Sequence, residues 1–385
     1  MPHFDFSTAA RIVFGWGEAS QLGAAALKMG KRALVVTGSS PERARPLVAN
    51  LEAAGIVCAS FSMPSEPTVQ QIREGAKHAR KERCGMVIAI GGGSAIDTGK
   101  ALAAMLSNPG ELLDYLEVIG RGQPLPQPSA PFIAVPTTAG SGAEVTRNAV
   151  LASPEHRVKA SLRSPYLLPK LALIDPELTL NLPPAVTATT GLDALTQLIE
   201  PYVSSRANPM TDLYCVDGIR RAAAALPRAW ENGQDREART SMSWASLLGG
   251  MALANAGLGA VHAFAAPIGG MWPVAHGAIC AAVLPHAIEV NLEALRRRAP
   301  ANPALRGYDE IARLLTRQRH ALADDAVLWI ADLCKRLEIP ALRTYGIAKA
   351  DIPALVEKAA QTSSMKGNPI PLTVEELHEI VLRAW

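Results

Sequence analysis

Met86-Val-Ile-Ala-Ile-Gly-Gly-Gly-Ser-Ala-Ile-Asp97 decides how the first half of this chain folds. Five apolar residues in a row, β-branched at Val87, Ile88 and Ile90, have the pattern of a strand covered on both faces. Gly91, Gly92, Gly93 and Ser94 then turn the chain at little steric cost and let it approach a ligand closely. Ala95 to Leu106 is Ala/Leu-rich and reads as the following helix. Its N-terminus would aim free N–H groups and a positive dipole end at whatever binds, which suits a phosphate. A tight structural turn would use the same glycines, and Asp97 would sit well in a first helical turn for dipole reasons alone.

Outward from this stretch the alternation repeats. Residues 33–37 (Ala-Leu-Val-Val-Thr) read as a strand and Gly38-Ser39-Ser40-Pro41 as a turn. A helix over 42–54 stops at Gly55, a strand follows over 56–61, and a helix over 69–82. Residues 131–135 and 171–174 are further apolar runs, and 123–131 is a proline-rich loop. Strands alternating with helices predict a parallel, doubly wound α/β sheet. Pro136-Thr137-Thr138-Ala-Gly140-Ser141-Gly142 follows another buried run. Its hydroxyls would join the glycine loop at the carboxyl edge of the sheet, where open α/β sheets bind ligands.

After Pro183-Pro184 the β-type runs give way to Ala/Leu-rich helical periods, clearest at 187–204, 212–225, 239–256, 276–291, 308–316 and 323–337. We therefore expect an α/β nucleotide-binding domain over 1–180 and an all-helical metal- and substrate-binding domain over 181–385. Within the second, residues 252–272 carry no formal charge. Their glycines, Pro267 and His262 point to a buried small-residue helix and loop rather than a membrane span.

The 385 residues carry 38 Lys+Arg against 35 Asp+Glu, a net charge of +3. That balance gives no reason to expect nucleic acid or an acidic membrane as partner. Cys58, Cys84, Cys215, Cys280 and Cys334 are odd in number and form no C-x-x-C pair. Neither a disulfide framework nor a thiolate metal site is expected from them, and a reducing, cytoplasmic setting is. Residues 1–10 show no signal-peptide pattern.

Asp193 and Gln197 are four apart in Thr190-Gly-Leu-Asp-Ala-Leu-Thr-Gln-Leu-Ile-Glu200 and share one helix face. His262 lies in Gly257-Leu-Gly-Ala-Val-His262, and His276 in Pro273-Val-Ala-His-Gly277. A carboxylate with two imidazoles is a common set for Zn²⁺ or Fe²⁺. Each histidine taken singly is also an ordinary core histidine. His286 and His320 carry only that reading.

Together, Gly91-Gly-Gly-Ser-Ala-Ile-Asp97, Pro136 to Thr146, Gly191-Leu-Asp-Ala-Leu-Thr196, Gly257 to His262, Pro273 to Gly277 and Gly367-Asn-Pro369 resemble the iron-containing (group III) alcohol dehydrogenases. The resemblance covers almost the whole chain. It implies a dehydroquinate synthase-like fold, an NAD or NADP cofactor, one divalent metal (Fe²⁺ or Zn²⁺) in a cleft between the domains, and a homodimer. It places Gly38, Ser39, Ser40, Gly91, Gly92, Gly93, Ser94, Asp97, Thr137, Thr138, Ser141 and Lys159 at the cofactor, and Asp193, His262 and His276 on the metal. Two positions depart from the family pattern. Gln197 stands where the fourth ligand is usually histidine, and a neutral amide oxygen is a poorer ligand than imidazole. Ala266 stands where many members carry a proton-relaying histidine, so no general base is assigned.

The implied activity is hydride transfer between NAD(P) and a small alcohol, aldehyde or ketone. The alternatives are a maleylacetate-reductase-like enzyme reducing an oxo-acid with little metal dependence, and a non-catalytic nucleotide-binding protein. NAD-using relatives often carry an aspartate after the first strand. Here Gly38-Ser39-Ser40 offers no carboxylate, and Arg43 and Arg45 follow, which leaves NADP open. Lys366 in Ser363-Ser-Met-Lys-Gly-Asn-Pro369 is either a contact for an acidic substrate or an exposed lysine.

Overall fold

The computed structural model describes residues 3–385, so the first two residues of the stretch read for a leader lie outside it. Two compact units emerge: Ser7–Thr138 with Gly142–Leu180, and Asn181–Trp385 with residues 3–6 and Ala139–Ser141.

The first unit is built on eight strands: β1 (Ile12–Phe14), β2 (Arg32–Thr37), β3 (Val57–Ser62), β4 (Met86–Gly91), β5 (Phe132–Pro136), β6 (Asn148–Ser153), β7 (Val158–Arg163) and β8 (Leu171–Ile174). Its helices are α1 (Leu22–Leu27), α2 (Arg45–Ala53), α3 (Val69–Lys81), α4 (Gly93–Ser107) and α5 (Leu112–Tyr115). Six strands form one parallel sheet in the order β1-β8-β5-β4-β2-β3. Every residue of β4, β5 and β8 is buried, as their unbroken apolar runs require, whereas edge strand β3 has no fully buried residue.

The pleat divides the core in two. Leu34, Val36, Val87 and Ala89 pack with Ile96 and Leu102 of α4; Ala33, Val35, Ile88 and Ile90 pack with Leu22, Leu47 and Leu51 on the other face. Helix α3 starts at a capping box: Thr68 Oγ1 accepts from the Gln71 N–H (3.2 Å), and Gln71 Oε1 accepts from the Thr68 N–H (3.0 Å). The antiparallel hairpin β6–β7 is an addition to the elements expected from the sequence.

The second unit is helical throughout: α6 (Pro184–Val203), α7 (Pro209–Glu231), α8 (Arg236–Ala256), α9 (Ala260–Met271), α10 (His276–Arg298), α11 (Ala304–Thr316), α12 (Ala323–Arg336), α13 (Ile352–Ala360) and α14 (Val374–Ala384). The uncharged stretch at 252–272 closes α8, turns at Gly257 and forms α9; the two helices bend by 98° at this break. Helix α10 is long and apolar enough to cross a membrane by composition, but 83% of its most apolar window is buried inside the protein. That burial marks a core helix.

Candidate metal centre and nucleotide loops

At the carboxyl edge of the large sheet three loops come together. Helix α4 begins at Gly93 with Gly92 as its N-cap and no side chain capping it, so its first N–H groups are open to a ligand. A Cβ on Gly91 would lie 2.6 Å from Ala95 Cβ and 3.2 Å from the Gly38 nitrogen, so only glycine lets the β2 and β4 loops approach. The Thr137 N–H donates to the Gly91 carbonyl (2.9 Å), and Thr138 stands 3.3 Å from where a Gly92 Cβ would be. Gly38, Gly91 to Gly93 and Thr137–Thr138 are thus neighbours. Ser39 and Ser40 follow Gly38 directly, and Ser94 lies in the first turn of α4. Ser141 belongs by its contacts to the helical unit, where Gly140 lies against Thr190.

Asp97 and Lys159 are already engaged. Asp97 Oδ2 accepts from the Val150 N–H (3.0 Å), and its Oδ1 is 3.4 Å from Lys100 Nζ. Lys100, fully buried, also donates to Thr146 Oγ1 (2.7 Å) and to the Asn148 carbonyl (2.8 Å), so α4 pins the β6–β7 hairpin to the sheet. Lys159 is ion-paired with Glu66. Arg43 donates to the Leu178 carbonyl (3.0 Å), while Arg45 is exposed. Burial raises the Glu144 carboxyl to about 7, against the pull of its own N–H and of Lys100.

In the helical unit, Asp193 from α6, His262 from α9, and His276 and Cys280 from α10 converge. One ligand atom from each lies within 4.8 Å of all the others. His262 Nε2 is 3.4 Å and His276 Nε2 3.7 Å from Asp193 Oδ1. Cys280 Sγ is 3.6 Å from His276 Nε2 and 3.9 Å from His262 Nε2. The cluster is closed except at the His276 side chain, 37% exposed. Local sequence explains the convergence. A Cβ at Gly277 would meet the Thr189 carbonyl oxygen at 2.5 Å, so glycine alone lets the first turn of α10 rest on α6. His276 and Cys280 are then one turn apart on the same face.

Behind the cluster, Glu200 Oε2 is 2.7 Å from His262 Nδ1, and its Oε1 accepts from the Val261 N–H (2.7 Å). In the neutral ring the acceptor at Nδ1 holds the proton there and leaves the Nε2 lone pair facing Asp193, His276 and Cys280. Asn368 Oδ1 accepts from the Ala260 N–H (3.1 Å) and from Asn291 Nδ2 (3.2 Å). Glu200 and Asn368 thereby cap α9 from outside its own sequence, and this is what the late Gly367-Asn-Pro369 motif does. A Cβ on Gly367 would lie 2.1 Å from the Leu258 carbonyl oxygen.

Burial alone would raise the Asp193 carboxyl, yet His276 and His262 hold it below its ordinary value. Burial would likewise lower both imidazoles. Cys280 and Glu200 lift His262 well above its usual value, and Cys280 and Asp193 lift His276. The pocket attracts positive charge. Asp193 Oδ1 and Gln197 Oε1 are both buried without a hydrogen-bond partner, a costly state that a cation would relieve. Carboxylate, imidazole and thiol donors around such an orphaned oxygen fit a divalent transition metal.

The two halves of the chain match two adjoining profiles: iron-containing alcohol dehydrogenase over residues 9–176 and the family's C-terminal domain over 187–385. The chain belongs to the iron-containing alcohol dehydrogenase family. Family members of known activity include the 1,3-propanediol dehydrogenase of Klebsiella pneumoniae, 36% identical over 92% of both chains. Another is the NAD-dependent methanol dehydrogenase of Bacillus methanolicus, 33% identical over 97% of both. A crystal structure of 1,3-propanediol oxidoreductase superposes over the full length of both chains with a TM-score of 0.92 at 34% identity. The protein is an oxidoreductase of the alcohol dehydrogenase type, and the family works with a nicotinamide cofactor and a divalent metal.

Cys280 is the residue that sequence reading passed over. The five cysteines form no C-x-x-C pair, and the expectation of no thiolate metal site is at odds with this geometry, which sets Cys280 Sγ beside both imidazoles. The signal was present as His276-Gly-Ala-Ile-Cys280, an i, i+4 pair at a helix start. Gln197 lies on α6 one turn beyond Asp193, buried, and the fourth donor atom of the cluster is Cys280 Sγ. Lys366 is exposed on the short turn Met365–Gly367.

Proposed function

We propose that this chain interconverts a small primary alcohol or diol and its aldehyde, using NAD and a divalent ion held by Asp193, His262 and His276. The observation that carries this reading is the buried Asp193–His262–His276–Cys280 cluster with its orphaned Asp193 oxygen. A divalent ion there supplies Lewis-acid polarisation of the substrate oxygen, and the nicotinamide supplies or accepts the hydride.

The chain's own residues position both. Gly91 to Gly93, Ser94 and the first turn of α4 receive the pyrophosphate, with Gly38, Ser39, Ser40, Thr137 and Thr138 completing the nucleotide site. Asp97 and Lys159 support that site from the hairpin side. Glu200 fixes the orientation and proton of His262. His276, the one exposed member of the cluster, is where substrate reaches it, and Lys366 is a contact for an acidic substrate group. Gly38 to Ser40 carries no carboxylate, so NADP is tolerated beside NAD, with kcat/KM values within about tenfold of each other. The five free cysteines support a reducing compartment, the cytoplasm. We place the enzyme there as a homodimer.

The deciding experiment combines elemental analysis of purified protein with NADH and NADPH oxidation against short aldehydes and oxo-acids. About one divalent ion per chain, with activity lost to chelator and restored by metal, is the expected result. Metal-free protein that still reduces oxo-acids would replace this reading with a maleylacetate-reductase-like one. Nucleotide binding with no turnover on any carbonyl would replace it with a non-catalytic role.

A further inference from the structure

We infer that Cys280 supplies the fourth protein ligand as a thiolate, and that this makes the centre a zinc site rather than an iron site. The inference rests on the metal-dependent reading above and specifies the ion.

The distances carry the argument. Zinc bonds nitrogen at about 2.0–2.1 Å, carboxylate oxygen at about 2.0–2.2 Å and thiolate sulfur at about 2.3 Å. Placed at tetrahedral corners, such ligands stand about 3.4 Å apart for N···O and about 3.6 Å for N···S. The observed N···O separations are 3.4 and 3.7 Å, and the N···S separations 3.6 and 3.9 Å. Neighbouring corners of an octahedron, the arrangement of oxygen-rich sites, would be closer, at about 3.0 Å for bonds of this length. Four of the six donor separations thus match tetrahedral corners, and the other two lie within 4.8 Å.

Donor chemistry agrees. A soft thiolate favours zinc over iron(II), and zinc lies above iron(II) in the general order of affinity. Charge agrees as well. Asp193 is 3% exposed and Cys280 fully buried, so anionic donors there have little water to stabilise them and gain most from a dication. Gln197, where the family pattern has an imidazole, contributes only a neutral amide. Cys280, one helical turn from His276, replaces that missing donor.

The test is cobalt substitution of the full-length protein, read by absorption rather than activity. Co²⁺ at the site should show a thiolate-to-cobalt charge-transfer band in the near ultraviolet and intense visible bands of tetrahedral form. The Cys280→Ser variant should lose the charge-transfer band and bind Zn²⁺ at least about tenfold more weakly. Adding Gln197→His to that variant should restore metal binding through an imidazole without restoring the band. Offered equimolar Fe²⁺ and Zn²⁺ without oxygen, the native chain should retain zinc. Visible cobalt bands with no charge-transfer band in the native protein, or a band that survives in Cys280→Ser, would overturn the thiolate assignment and leave the proposed activity standing. Retention of iron against equal zinc would overturn the metal selection. Failure to bind cobalt at all would overturn both.

Discussion

Two buried carboxylates show how burial and partner decide a residue's role. Glu200, 7% exposed, spends one oxygen on His262 and the other on the Val261 N–H. Glu200→Gln removes the strong acceptor at Nδ1 and frees the imidazole to choose the wrong tautomer. We expect metal affinity to fall by about 10–100-fold with the fold unchanged, measured by competition with a chelating dye. Glu144, 2% exposed, has a folded-state pKa of about 7 against an ordinary 4.5, raised first by burial. A carboxyl raised in this way binds more protons folded than unfolded, so its neutral form costs nothing below about 4.5 and stability declines as pH climbs toward 7. Up to about 3 kcal/mol is involved. Glu144→Gln should flatten that part of the stability–pH profile and stabilise the protein above neutrality. A denaturation series showing an unchanged slope between pH 5 and 7.5 would refute this account.

Elements are placed here by small residues at their contacts. A Cβ on Gly99 would sit 2.6 Å from Phe132 Cε2, so α4 lies flat on the sheet and carries its uncapped first turn to the carboxyl edge. Gly277 performs the same service for α10. Alanine there gains about 1 kcal/mol of helix propensity, but its Cβ meets a backbone carbonyl at 2.5 Å that cannot rotate away. The clash wins: Gly277→Ala should destabilise the protein by about 1–3 kcal/mol and lower metal occupancy, because His276 moves with the helix. Full occupancy in the purified variant would show that α10 tolerates the shift. The elements that sequence reading found were those with strong periodicity, such as β4 and α3. Hairpin β6–β7 escaped it because it is not a continuous apolar run like those of the parallel sheet; its signal is the apolar–polar alternation of Val158-Lys-Ala-Ser-Leu-Arg163.

On the scale of the whole molecule, the metal centre joins α6, α9 and α10, so binding an ion stabilises the helical unit. At a hundred times its dissociation constant the ion adds about 2.7 kcal/mol, or about 5–10 °C in melting temperature for a unit of this size. Five of the six tryptophans (Trp230, Trp244, Trp272, Trp329 and Trp385) lie in that unit, so fluorescence melts with and without chelator should show the difference. An unchanged melt would mean that the ion is not integral to the helices. The amino-acid sequence alone determined the parallel sheet, the glycine loop at its edge, the helical second half and three of the clustered donors. Those follow from periodicity and from motifs a few residues long, which are local properties of the chain. The tertiary structure decided the rest: that Cys280 faces Asp193, that Glu200 and Asn368 cap α9, and that Asp97 anchors a hairpin. These contacts join residues up to 108 positions apart. Their partners are chosen by how helices pack, and no local pattern records that choice.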